Sequence, residues 1–215
     1  MPPTKIILVR HGETDDNKNS VFQGQQGRGL NAKGRDQAAR LAARLAGAGI
    51  ALDALYTSDL ERAHETATII GRALGLTPAP DPDLREVFLG SWQGLSHAEI
   101  AVRFPDEWAA WQRGEDLKRG GGETYAELGD RVSRAVLRIA EAHADRTAAI
   151  VSHGAAIKMF VARLLGLGTP GLRAFRVSHN TGVTVVERGA GGPFRLLVWN
   201  DVAHLHDAVT EAIST

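Results

Sequence analysis

Three short aliphatic runs, each followed at once by polar residues and then by a helical pattern, constrain this chain more than any other feature. Ile6-Ile7-Leu8-Val9 is apolar without alternation, as expected of a strand covered on both faces. Asp53 to Thr57 and Thr147 to Ser152 read as a second and a third strand. Between the first two, Ala38, Leu41, Ala42 and Leu45 fall on one face of a helix running from about Asn31 to Ala46. Ser58 and Glu61 have capping-box spacing ahead of a helix striped by Leu60, Ala63, Ala67, Ile70 and Leu74. Thr124 and Glu127 do the same for a helix striped by Leu128, Val132, Val136 and Ile139. Gly154 to Leu165 reads as a helix apolar on most sides. Val183 to Glu187 and Arg195 to Trp199 are extended runs joined by a turn from Gly189 to Pro193, so at least one of them is expected to be antiparallel. Strands alternating with helices predict an α/β fold: a three-layer α/β/α sandwich with a mostly parallel central sheet and one antiparallel strand. Residues 1–215 are expected to form a single domain.

The stretch from about Asp83 to Gly122 has few strand signals and holds three of the four tryptophans, Trp92, Trp108 and Trp111. It is too long for a plain loop and reads as a small inserted lid. Gly120-Gly121-Gly122 reads as its flexible hinge. The bases Arg103, Arg113, Lys118 and Arg119 read as a solvated helix face.

Composition removes several function classes. There is no cysteine, so disulfides and thiolate chemistry are excluded. The 25 basic and 25 acidic residues cancel without long runs, which leaves no electrostatic footprint for nucleic acid or an anionic membrane. No stretch of about 18 apolar residues is present for a membrane span, and a cytoplasmic protein is expected. Oligomeric state is not readable, because every apolar stripe has an intramolecular use.

The chemistry gathers at one structural position. Arg10-His11-Gly12 follows the first strand, Ser58 to Arg62 the second, and His153-Gly154 the third. Parallel strands end along one edge, where ligands of such sheets bind. Two histidines and two arginines gathered at helix N-termini suit a dianion, which would also relieve their mutual repulsion.

Leu8-Val9-Arg10-His11-Gly12-Glu13-Thr14 resembles the signature of the histidine phosphatase superfamily, the phosphoglycerate-mutase-like proteins. The resemblance extends over nearly the whole chain. Asn17 lies six residues after His11, as in that family's phosphate loop. Phe22-Gln23-Gly24 is similar to its substrate-contacting turn, with Gln where Thr or Ser is frequent. Ser58 to Ala63 matches the motif of the second arginine, and Leu84-Arg85-Glu86 with Gly90 to Gly94 resembles the segment carrying the acid. Gly122-Glu123-Thr124 is similar to the phosphatase branch's Gly-Glu-Ser, and Val151 to Gly154 matches the second histidine motif.

The resemblance implies that His11 is phosphorylated and then hydrolysed. Arg10, Arg62 and His153 would hold the phosphoryl oxygens, with Asn17 and the Gly154 N–H as supporting donors; Thr14, Gln23 and Gly24 would line the substrate site. Glu86, under an apolar cover near Phe88 and Trp92, would be the acid and base. Two arginines and a protonated His153 would supply the positive charge, with no metal and no cofactor. The expected activity is a phosphatase acting on a small phosphorylated metabolite. A mutase returning the phosphoryl group to substrate and a non-catalytic phosphate-binding module are the alternatives. Glu13 is expected to bond locally. His204 and His206 read as solvated or capping residues, not a metal pair. Asn180 reads as a turn residue, and Asn200-Asp201 as the cap of a final helical stretch.

Overall fold

The computed structural model describes residues 2–176 and 178–205. Its centre is a six-stranded sheet in the order β3-β2-β4-β1-β5-β6. The strands are β1 (Thr4–Arg10), β2 (Ala54–Thr57), β3 (Ala79–Pro80), β4 (Thr147–Ser152), β5 (Val183–Arg188) and β6 (Phe194–Asp201). β1 and β2 both pair parallel with β4, and β3 pairs parallel with β2. β5 runs against both of its neighbours, β1 and β6. The mostly parallel sheet with one reversed strand is the expected arrangement.

The unbroken apolar runs follow from having both faces covered. The one-turn helix α1 (Asp15–Lys18) follows β1, and Ile7 and Val9 pack with Leu41, Leu45, Ala63 and Ile70, under helices α2 (Ala32–Gly47) and α3 (Glu61–Leu74). Ile6 and Leu8 face the other way, toward Val132, Val136, Ile157 and Phe160 on α6 (Tyr125–Ala142) and α7 (Gly154–Leu164). Each such fully buried aliphatic side chain contributes roughly 1.5–3 kcal/mol. Asn31 caps α2 by accepting from the Gly34 N–H at 2.8 Å. Thr124 and Glu127 form the expected capping box of α6.

The segment between β3 and α6 carries two short helices, α4 (His97–Arg103) and α5 (Pro105–Arg113). Trp92 is fully buried there, with Trp108 at 6.1 Å and Trp111 at 6.3 Å between ring centroids. The glycine triplet is not a loose hinge. A Cβ on Gly122 would collide with the Phe88 carbonyl, and one on Gly90 with the Gly120 carbonyl. These glycines permit two backbones to touch, and the Glu123 N–H donates to Phe88 O at 2.7 Å across the contact.

Two local readings are corrected. Ser58 does not cap α3; the N-cap position is Leu60, without a side-chain bond. The two-residue edge strand β3 escaped the sequence pattern because Pro80 supplies no ladder donor, which only an edge tolerates. Asn200 and Asp201 close β6: Asn200 Oδ1 accepts from the His179 N–H at 2.7 Å, while Asp201 pairs with Arg44 at 2.5 Å and accepts from the Ala203 N–H at 2.9 Å. The final helical stretch expected after them, like His206, lies outside the described residues.

Candidate active site

Register brings the three polar segments together. Arg10, the last residue of β1, lies opposite Ser152 of β4, and Thr57 of β2 lies opposite Val151. The chain is held in this course one residue further: the His11 N–H donates to Ser152 O, and the Ser58 N–H to Val151 O, each at 2.9 Å. His11, Ser58 and His153 therefore meet at one edge, with the rings of His11 and His153 5.2 Å apart.

His11 is 3% exposed, and its Nδ1 lies 2.7 Å from the Gly12 carbonyl. A carbonyl only accepts, so Nδ1 carries the proton and the Nε2 lone pair is free in the neutral ring. Burial pushes the imidazole well below its ordinary pKa; the charges of Arg62 and then Arg10 add to this, and the Gly12 bond opposes it. Gly12 is required by close approach, since its Cβ would lie 2.5 Å from the Gly34 carbonyl at the start of α2.

Arg10 donates through Nη1 to Ser178 O at 2.6 Å. Arg62, only 2% exposed, donates to the carbonyls of Gln26 and Gly24 at 2.7 Å each. Those bonds fix the 24–26 turn against α3 and leave Nε without a partner among the described residues in both arginines. Burial lowers the Arg62 pKa to about 10, with Glu86 opposing the shift, so it remains charged at neutral pH.

His153 is completely buried, with Nε2 2.8 Å from Ser58 Oγ and Nδ1 without a partner among the described residues. Burial, and then the Arg62 charge, push its pKa well below the ordinary value. Removed from water beside two arginines, His153 is neutral, and only a dianion brought against it would favour its proton. Ser58, read from the sequence as a helix cap, is its partner.

Glu86 lines the cleft, which encloses about 320 Å³. Its carboxyl is gripped by backbone donors: Oε1 accepts from Val87 N–H at 2.9 Å and Ala156 N–H at 3.2 Å, and Oε2 from Ala155 N–H at 3.0 Å. Two of these donors belong to the first turn of α7, where helix N–H groups lack internal partners. The cleft wall it shares includes the apolar residues Phe22, Val87, Leu89 and Trp111, while Phe88 is 43% exposed and Trp92 is fully buried in its aromatic cluster.

Asn17, Gln23, Gly24 and Gly154 all line the same cleft. Asn17 Oδ1 accepts from Asn180 Nδ2 at 3.1 Å and Thr14 N–H at 3.3 Å, which leaves its amide N–H groups for a ligand. Thr14 stands behind the wall, 2% exposed, and accepts from Gln23 Nε2 at 2.6 Å. It also accepts from the Asn17 N–H at 3.2 Å and is not among the residues lining this cleft. Asn180, expected to be an ordinary turn residue, also donates to His11 O at 3.0 Å and so braces the loop. Glu13 bonds locally as expected, to Asn31 at 3.1 Å and Lys33 at 3.0 Å. His204 is buried, not solvated, with Nε2 2.8 Å from Thr181 Oγ1, and burial lowers its pKa to about 4. Arg103, Arg113 and Lys118 are exposed and paired with Glu99, Glu115 and Glu127. Arg119 is not on that face; it is 1% exposed and lines the cleft.

The depressed histidines make stability depend on pH with a definite sign. Below about pH 6.5 the unfolded chain protonates its histidines, while folded His11 and His153 stay neutral to well below that. The unfolded state then binds more protons, so stability falls as pH falls, by roughly 1.4 kcal/mol per pH unit for each histidine inside that window. Denaturant melts between pH 7.5 and 5 are expected to show this loss, and His11→Ala is expected to reduce the slope. A flat profile would mean that the two rings are not buried neutral.

Among the described residues no group of three or more His, Cys, Asp or Glu side chains is placed to hold a metal ion, and no helix is long and apolar enough to cross a membrane. The chain is 37% identical over 207 residues to phosphoglycerate mutase-like protein 4 of Arabidopsis thaliana, covering 94% of this chain and 87% of the relative. It is 35% identical over 205 residues to the metal-independent phosphoserine phosphatase of the same plant, covering 94% and 83%. In structure it resembles a mycobacterial glucosyl-3-phosphoglycerate phosphatase solved with VO3, with a TM-score of 0.81 and 32% identity over 91% of this chain and 98% of that one. The model of branch 1 of the histidine phosphatase superfamily matches residues 6–202, and the chain belongs to that superfamily.

Proposed function

We propose that this chain is a cytoplasmic, metal-independent phosphomonoester hydrolase that acts on a small phosphorylated metabolite through a phosphohistidine at His11. The observation that carries this is the state of His11: buried, neutral, and fixed in the tautomer that leaves Nε2 unprotonated, with Arg10 and Arg62 beside it. Two similar proteins bear the names of phosphomonoester hydrolases, one of them metal-independent.

In the first step Nε2 attacks phosphorus and the ester P–O bond breaks, while the Glu86 carboxyl passes a proton to the leaving oxygen. Water then attacks the phosphohistidine. Its proton goes to the Glu86 carboxylate, the P–N bond breaks, and inorganic phosphate leaves. Arg10, Arg62 and His153 hold the equatorial oxygens, helped by the Asn17 amide and the Gly154 N–H. Fixed charge of this kind is most of what phosphoryl transfer requires of a protein. Residues 83–122 form the cover over this chemistry.

Hydrolysis and transfer are separated by following 3-phosphoglycerate with a trace of 2,3-bisphosphoglycerate by phosphorus NMR, in a strong chelator, alongside p-nitrophenyl phosphate. Free phosphate is expected from both, with 2-phosphoglycerate slow or absent. Formation of 2-phosphoglycerate faster than free phosphate would make the protein a mutase. Activity lost on chelation and restored by a divalent metal would end the metal-independent reading.

A further inference from the structure

Arg119 has no role in the chemistry just described, yet its surroundings are those of a binding group. It is 1% exposed, lines the same cleft as His11 and Arg62, and its Nη2 has no hydrogen-bond partner among the described residues. It forms no ion pair among the described residues, although Arg113 and Lys118 nearby in sequence each have a carboxylate. Its guanidinium lies 3.9 Å over the Tyr125 ring, another residue of the cleft wall. A ring face steadies a cation but accepts no strong hydrogen bond, so the donor edge is left unsatisfied.

The backbone around Arg119 is held on both sides. Arg119 N–H donates to Leu117 O at 3.0 Å, Gly120 N–H to Glu107 Oε2 at 2.7 Å, and Gly122 N–H to Arg119 O at 3.0 Å. The side chain is therefore pre-placed, which lowers the ordering cost of binding. Charge points the same way. Among the described residues the cleft wall carries Arg10, Arg62 and Arg119 against the single carboxylate of Glu86. Two arginines suffice for a phosphoryl dianion, so the third is surplus unless the substrate has a further negative group. A buried guanidinium without an anion is costly, and a planar carboxylate or a second phosphoryl group matches its fork.

We infer that Arg119 is a specificity residue that takes a second anionic group on the substrate, so that the enzyme prefers phosphomonoesters which are also carboxylic acids or bisphosphates. This rests on the phosphatase reading above. The test compares matched pairs differing only in that group: 3-phosphoglycerate with glycerol 3-phosphate, phosphoserine with phosphoethanolamine, and fructose 1,6-bisphosphate with fructose 6-phosphate.

The parent is expected to favour the more anionic member of at least one pair by about 30-fold or more in kcat/KM, the size of a charge-assisted bond in a desolvated site. Arg119→Gln is expected to collapse that ratio toward one, and Arg119→Lys to recover part of it. The pair that responds tells carboxylate from phosphoryl. An equal loss for both members of every pair would make Arg119 a structural residue stacked on Tyr125 and overturn the inference. So would a parent that hydrolyses the pairs without preference, leaving the phosphatase reading intact. A parent that hydrolyses none of these esters, nor p-nitrophenyl phosphate, would overturn both.

Discussion

His11→Ala is expected to lower kcat by roughly ten-thousand-fold or more, the usual cost of deleting a covalent nucleophile whose supporting groups remain. The fold has little to lose. Among the described residues the ring's hydrogen bond is local, from Nδ1 to the Gly12 carbonyl, and the backbone course here is set by the His11 N–H bond to Ser152 and the Gly12 N–H bond to Thr66 at 3.0 Å. Neither uses the side chain. Inorganic phosphate is expected to bind within about tenfold of the parent, because Arg10 and Arg62 supply most of the attraction. Kinetics on p-nitrophenyl phosphate, with titration of phosphate into the variant, separates the two effects. Near-parent turnover in His11→Ala would remove the nucleophile from the account.

Glu86→Gln has the second-largest expected effect, about a hundredfold to a thousandfold in kcat on alkyl phosphates. The substitution is less neutral than its shape implies. Both carboxyl oxygens accept backbone N–H bonds, from Val87 and Ala156 on one and Ala155 on the other. A glutamine places an NH2 against one of those donors, so a modest fall in Tm is also expected. Loss of activity alone would not separate an acid from a support. Dependence on the leaving group does: nitrophenolate scarcely needs a proton, so the first-step loss is expected to shrink sharply for p-nitrophenyl phosphate. A loss equal for good and poor leaving groups would make Glu86 a brace for the start of α7.

Where local pattern governs, the sequence was legible. Ile6 to Val9 had to be covered on both faces because it offers no polar side, and α2 and α6 supply the covers. The convergence of His11, Arg62 and His153 needed only the rule that parallel strands end along one edge. What escaped was tertiary. Ser58 and Glu61 have the spacing of a capping box, but nothing in that spacing shows that His153 competes for the hydroxyl from across the sheet. Gly120 to Gly122 has the composition of a hinge, and glycine serves equally where two backbones touch, as at Phe88. Arg119 sits among exposed bases with no periodicity to set it apart; only folding places Tyr125 under it. His204 gave no sign of burial, because its partner Thr181 is a long-range contact.

The covalent phosphohistidine is the centre of this account, and trapping it is the most direct test. The protein is mixed with labelled substrate, quenched within milliseconds under alkaline conditions that preserve phosphoramidate bonds, and digested for mass spectrometry. The expected result is a single acid-labile phosphoryl group on Nε2 of His11, formed and lost as fast as turnover and absent from His11→Ala. Turnover with no phosphoenzyme at any quench time, or label on another residue, would contradict it.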